Sequence, residues 1–258
     1  MAVSIDRTLG NIAVRLIDVH PDGTSHQVSW GALNLAHRHD NENLSEMTPG
    51  NSENVAITLD ECGYKFLAGH RIRLSISTAY WPMIMPSPEL VTAIITLGQH
   101  STLSLPIRQI DDAITIEEPE DLNPLPGYVS HQQASHNREV KYDLQQGLTH
   151  YKVFDDTGEH EEPEHGMRSR HTYKGHWSIN PNDPLSSVAH NVYTCYLSRG
   201  DWCIHTESES GMRCDQDNYY IKAAITAYKN DSVVNVRNWE STSNATLARA
   251  AENTRASS

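Results

Sequence analysis

YKFLAGHRIRLSISTAYWPMIMPSP, residues 64 to 88, holds the pattern from which the fold is read. Ile72, Leu74 and Ile76 alternate with Arg71, Arg73, Ser75 and Ser77, the period of a strand with one buried face. The alternation then stops at Tyr80-Trp81-Pro82, followed by Pro86-Ser87-Pro88, where proline removes ladder donors. Gly69 precedes the strand and suits a turn of unusual φ. A good strand that ends in an aromatic, stiffened loop has three readings: a cap on its own core, a face that docks another domain, or a platform for a sugar or small ligand.

Strands of this kind recur along the chain. In residues 1–110 the expected strands are Ile12 to Val19, Val28 to Leu35, Glu53 to Leu59, His70 to Ser77, Leu90 to Leu97 and Thr102 to Ile107. The first two form a hairpin about the turn Pro21-Asp22-Gly23. Residues 111–137 are acidic, proline-containing and polar, and read as a linker. Residues 138–240 hold seven further strand candidates: Glu139 to Leu144, Leu148 to Phe154, Met167 to Trp177, Val188 to Leu197, Trp202 to Glu207, Tyr219 to Tyr228 and Val233 to Trp239. Short turns join them, including the tight pair Asn230-Asp231, so an antiparallel meander is expected. The tail 241–258 is polar and alanine-rich and reads as disordered. Helical periodicity is not sustained anywhere.

Of 258 residues 38% are hydrophobic and only two are Phe, which suits thin β layers better than a thick α/β core. A net charge of −13 argues against nucleic acid, whose phosphates need a cationic face. Two runs, Asp111 to Asp121 and Asp155 to Glu164, hold six carboxylates each and read as solvated loops or faces. Cys62, Cys195, Cys203 and Cys214 form no C-x-x-C pair, and the last three fall on expected strands as small apolar side chains. No signal sequence and no apolar run of membrane-spanning length occurs, so a cytoplasmic protein without a membrane partner is expected.

The chemistry-bearing motifs are absent: no G-x-S-x-G elbow, no phosphate loop, no dinucleotide fingerprint and no H-E-x-x-H. No cofactor is expected. His37 and His39, two apart, would share a face on a strand, but no third ligand accompanies them, and no metal centre is expected.

The runs Ala13-Val14-Arg15-Leu16-Ile17-Asp18-Val19-His20-Pro21-Asp22-Gly23, Gly31-x-Leu33-Asn34-Leu35-x-His37-Arg38 and Gly69-His70-Arg71-Ile72-Arg73-Leu74 resemble one known domain. It is the non-catalytic C-terminal jelly roll, galactose-binding-like in architecture, of the X-Pro dipeptidyl-peptidase and cocaine esterase family (CocE/NonD) of serine acyl hydrolases. Asp183-Pro184-Leu185-Ser186, Arg199-Gly200-Asp201-Trp202, Met212-Arg213-Cys214-Asp215 and Val236-Arg237-Asn238-Trp239 are similar to the extra C-terminal region of longer bacterial members. The resemblance implies an all-β chain, a partial jelly-roll sandwich followed by a second antiparallel sheet region. It also implies an accessory portion of a serine hydrolase, a fragment without the Ser-Asp-His triad, whose partner is an α/β-hydrolase catalytic domain; a homo-oligomer is the alternative, because unpaired sheet edges invite pairing with another chain. No catalytic residue carries over. His70, Arg71, Tyr80, Trp81 and Pro82 are the candidates for binding or domain docking. The competing reading is a free-standing carbohydrate- or ligand-binding jelly-roll module, by analogy of fold alone.

Overall fold

A computed structural model describes residues 1–99, 101–107 and 127–244. The first block contains β1 (Ala2–Ile5), β2 (Asn11–Val19), β3 (Ser25–Asn34), β4 (Glu53–Asn54), β5 (Arg71–Ser77) and β6 (Ala93–Thr96). They make two antiparallel three-stranded sheets, in the orders β4-β1-β6 and β3-β2-β5. Val3 and Ile5 of one sheet pack against Ile12 and Val14 of the other, and Leu35, Met47 and Val55 complete this core. The block is a β-sandwich.

Its hairpin forms as the sequence predicts. Gly23 takes φ +91°, and Asp22 Oδ1 accepts from the Thr24 amide at 2.9 Å. The expected strand from Glu53 to Leu59 shortens to Glu53–Asn54, and residues 101–107 form no strand. Alternation supplies a face but not a neighbour, and without a ladder partner an apolar-polar repeat stays irregular. His37 belongs to a short 3-10 turn, Leu35–His37, and His39 lies just beyond it, so the two share no strand face. His37 Nδ1 meets Asn41 Oδ1 at 3.0 Å, whereas His39 Nε2 faces Glu53 Oε2 at 3.4 Å.

The second block comprises β7 (Val129–Gln132), β8 (Ser135–Asp143), β9 (Leu148–Asp156), β10 (Glu159–Glu162), β11 (Met167–Asn180), β12 (Asp183–Arg199), β13 (Trp202–Cys214), β14 (Asn218–Lys229) and β15 (Ser232–Asn244). All nine join in one antiparallel sheet. Its main path runs β15-β14-β13-β12-β11-β10-β7, while β9 pairs with β11 and β8. The meander from β11 to β15 is the one the sequence predicts. Asn230 and Asp231 supply its last turn at φ 47° and 62°.

The register gives this sheet two unlike faces. Val140, Tyr151, Trp177, Ala189, Met212 and Ile221 lie opposite one another in a row across six strands. One residue along, on the other face, the row reads Glu139, Lys152, His176, His190, Gly211, Lys222 and Glu240. One face is apolar and aromatic, the other charged, as the period of two requires.

Two expectations are corrected here. The acidic run Asp155 to Glu164 is a strand face rather than a loop, with Asp156 alone of its carboxylates buried: Asp155 and Asp156 end β9, and Glu159–Glu162 is β10. Strand formation is possible because cations from other strands meet the carboxylates. Arg170 Nη2 lies 2.6 Å from Asp156, Arg168 Nε 2.9 Å from Glu161 and Arg138 Nη2 2.8 Å from Asp155. Further upstream, β7 and the start of β8 fall inside the stretch read as a linker. Residues 111–126 of that linker, with the run Asp111 to Asp121, and the tail from 245 lie outside the described residues. All four cysteines are free thiols, with Cys62 exposed and the three strand cysteines half-buried. Among the described residues no helix is long and apolar enough to cross a membrane.

Candidate functional site

The five candidate residues separate into two places. His70 precedes β5 and Arg71 opens it, while Tyr80, Trp81 and Pro82 follow its far end. Seven residues of strand hold the two groups roughly 23 Å apart, so no single pocket contains them.

At the first end, Gly69 takes φ +86° and the His70 amide donates to Leu67 O at 3.1 Å, turning the chain into β5. Register then sets Asp18 opposite Ile72 and Val19 opposite Arg71. His70 thereby reaches the Asp18 carboxylate, with Nδ1 2.8 Å from Oδ2 and 3.0 Å from Oδ1. The Tyr64 hydroxyl donates to Oδ2 at 2.8 Å, and His20 Nε2 stands 3.9 Å from the same oxygen. Arg71 is exposed. Asp18, Tyr64 and His20 were not among the candidates. The available signal was a carboxylate inside the apolar run from Ile12 to Val19, which stays buried only if something distant meets it.

Burial pushes the Asp18 carboxyl up, but the hydrogen bonds from His70 and Tyr64, with the nearby imidazoles, outweigh it and hold it below the ordinary value of 3.8. A depressed carboxyl contributes stability above its unfolded value and loses it as pH falls through the folded value. Burial acts the same way on Asp156 and is outweighed chiefly by the Arg170 hydrogen bond. The urea midpoint of the chain is therefore expected to fall as pH drops below 3.8. Asp18→Asn should flatten that fall while lowering the midpoint near neutrality; an unchanged acid limb in the variant would contradict the assignment.

At the second end, Tyr80 turns back onto its own sheet. Its ring meets Trp30 edge-on at 5.2 Å, the Arg15 guanidinium lies 5.1 Å from the ring centre, and its hydroxyl donates to Gln27 Oε1 at 3.2 Å. Trp81, joined to Pro82 by a cis peptide bond, points the other way. Its indole N–H donates to Ser187 Oγ at 3.2 Å, and Met85 Sδ stands 3.6 Å from the same hydroxyl. Ser187 lies on β12, on the face shared by Ala189, and is almost wholly buried. Pro86 and Ser87 are buried beside this junction, Pro82 is half-buried, and Met83 projects into solvent. The loop thus fastens the sandwich to the apolar face of the second sheet.

Between these ends lies an apolar cleft of about 480 Å³, lined by Leu16, Ile57, Leu59, Leu74, Ile76 and Leu103 among others. It lies beside β5, whose outer edge pairs with no strand among the described residues. Ile72 and Leu74 on that strand are partly open to solvent.

A serine nucleophile needs a base within hydrogen-bond reach, and among the described residues no serine hydroxyl bonds to a histidine ring. No curated protein matches the chain. The family model of the X-Pro dipeptidyl-peptidase C-terminal non-catalytic domain matches residues 1–110, the span that holds the sandwich, the Asp18 network and the Trp81 loop. Residues 1–110 of this chain accordingly belong to the X-Pro dipeptidyl-peptidase C-terminal non-catalytic domain family.

Proposed function

We propose that the chain is an accessory unit of a serine acyl hydrolase, which supports an α/β-hydrolase domain and helps to shape its substrate pocket. The family of residues 1–110 is non-catalytic by description, and a domain of that kind implies a catalytic partner in its parent proteins. The observation that carries the reading is the position of exposed apolar side chains. Leu74, on the open edge of β5, lines the cleft and is partly exposed, and Ile72 on the same strand and Met83 and Leu90 on the loop after it also face solvent. Exposed apolar groups along one ordered strand and the loop after it fit a surface that another domain covers. The Tyr80–Pro88 loop is the rigid part of that surface, because Trp30, Arg15 and Ser187 hold its two aromatic rings.

The test is association with a separately produced α/β-hydrolase domain of the X-Pro dipeptidyl-peptidase class, followed by calorimetry. Binding is expected, and Met83→Asp, which alters an exposed side chain and leaves the core intact, should weaken it at least about tenfold. Equal affinity for wild type and variant would count against this face. In a parallel arm the chain alone, treated with a serine-directed phosphonate and a chromogenic ester, is expected to show neither label nor turnover. Labelling of one of its own serines would end the accessory reading.

A further inference from the structure

The Asp18 carboxylate is surrounded by more than its burial requires. Its side chain is 1% exposed, and His70, 11% exposed, already provides a hydrogen-bonding partner at 2.8 Å. Tyr64 satisfies a further lone pair. A third group is nonetheless present: His20, 39% exposed, aims Nε2 at the same oxygen from 3.9 Å, too far for a hydrogen bond. The two imidazole rings lie 4.5 Å apart between centres and 38° from coplanar. The two rings and the carboxylate thus present their donor atoms to one small space.

We propose that Asp18, His20 and His70 form a binding site for a divalent transition-metal ion of the zinc type, through Asp18 Oδ2, His20 Nε2 and His70 Nδ1. One ligand atom from each residue lies within 4.8 Å of the others. Tetrahedral zinc with bonds near 2.0–2.1 Å separates its ligands by about 3.3 Å; the two nitrogens stand 2.8 Å and 3.9 Å from the carboxylate oxygen and within 4.8 Å of each other, so side-chain rotation closes the set. Two nitrogens and one carboxylate oxygen favour zinc, cobalt or nickel over calcium and magnesium, which take oxygen donors. On binding, His70 takes the neutral tautomer that carries its proton on Nε2, the proton leaving Nδ1 and one from solvent reaching Nε2, so that the ring stays neutral and the Nδ1 lone pair faces the ion. His20 binds through Nε2 and keeps its proton on Nδ1. The Tyr64 hydroxyl continues to donate to the carboxylate and holds its orientation. The open side, where His20 meets solvent, leaves the fourth position to water.

The fold places these groups with little freedom. His20 follows the last residue of β2 and His70 precedes the first of β5, and the register pairs those strand ends, Val19 with Arg71. The His20 amide donates to Thr24 O at 2.9 Å, closing the hairpin on which it rides. A bound ion would clamp this hairpin to the start of β5. It is a structural site, independent of the accessory role.

The test uses the full chain freed of metal by a chelator. Zinc chloride titrated by calorimetry is expected to bind at one ion per chain, and cobalt to give the visible absorption of a tetrahedral centre. Zinc should also raise the thermal midpoint. His20→Ala removes a half-exposed ring with no hydrogen bond, so the variant should fold; its zinc affinity should drop at least about tenfold and the cobalt band vanish. A His150→Ala/His176→Ala variant, which removes the neighbouring histidine pair of the second sheet, should bind as wild type does. Zinc bound equally well by His20→Ala, or not bound by the wild type at millimolar concentration, would overturn the site.

Discussion

Trp81→Ala should lower the stability of the chain by about 3 kcal/mol and break its unfolding into two steps. Truncation of a large aromatic costs roughly 3–5 kcal/mol in a full core, and the half-buried setting of Trp81 places it at the lower end. The change also leaves the almost wholly buried Ser187 hydroxyl without its indole donor. Because the sandwich and the nine-stranded sheet each carry their own ladders, loss of the fastening should separate their transitions rather than abolish both. Differential scanning calorimetry reads this directly as a second peak. Trp81→Phe keeps most of the ring and loses only the N–H bond, so about 1 kcal/mol and a single transition are expected. A single unshifted transition in Trp81→Ala would show that the two sheets do not depend on this junction.

Gly158→Ala should destabilise the second sheet by about 3 kcal/mol. Gly158 takes φ +75° in the turn from β9 to β10, where an L side chain costs about 1–2 kcal/mol. The added methyl would also collide with the carbonyl oxygen of Gln132 and stand 2.8 Å from the Ala134 amide nitrogen, both backbone atoms that cannot swing aside. Overpacking of this kind costs roughly 1–3 kcal/mol more. Asp156 Oδ1 accepts from the Gly158 amide at 2.9 Å, so displacement of the turn also loosens the Asp156–Arg170 pair. Gly166→Ala is the control: φ is +65°, but nothing lies within 4 Å of the added carbon. It should cost only the conformational part. Equal destabilisation by the two substitutions would mean that space at Gly158 is not the limiting factor.

The candidate residues show how far local pattern reaches. The aromatic pair after β5 was visible as an interrupted alternation, and its three readings were all local. Tyr80 packs on Trp30 of its own sheet, while Trp81 meets Ser187, more than a hundred positions later in the chain. No spacing within the loop distinguishes those two fates. Asp18 sits within a family-like run, yet its partners His70 and Tyr64 come from the segment that leads into β5. A buried carboxylate is decided by what arrives to meet it.

The residues by themselves determined the strands of the first hairpin and β5, the hairpin turns at Gly23 and Asn230-Asp231, the antiparallel meander and the family of the first 110 residues, but not β1, β7 or β10. Those depend on alternation, φ preference and short motifs, which act over a few neighbours. Tertiary structure alone decided that Glu159–Glu162 pairs as a strand and that Glu53 to Leu59 mostly does not. It also decided which ring joins the two sheets and which three side chains converge on Asp18. A ladder and an ion pair each need a second segment at the right height, and chain register, not local sequence, sets that height.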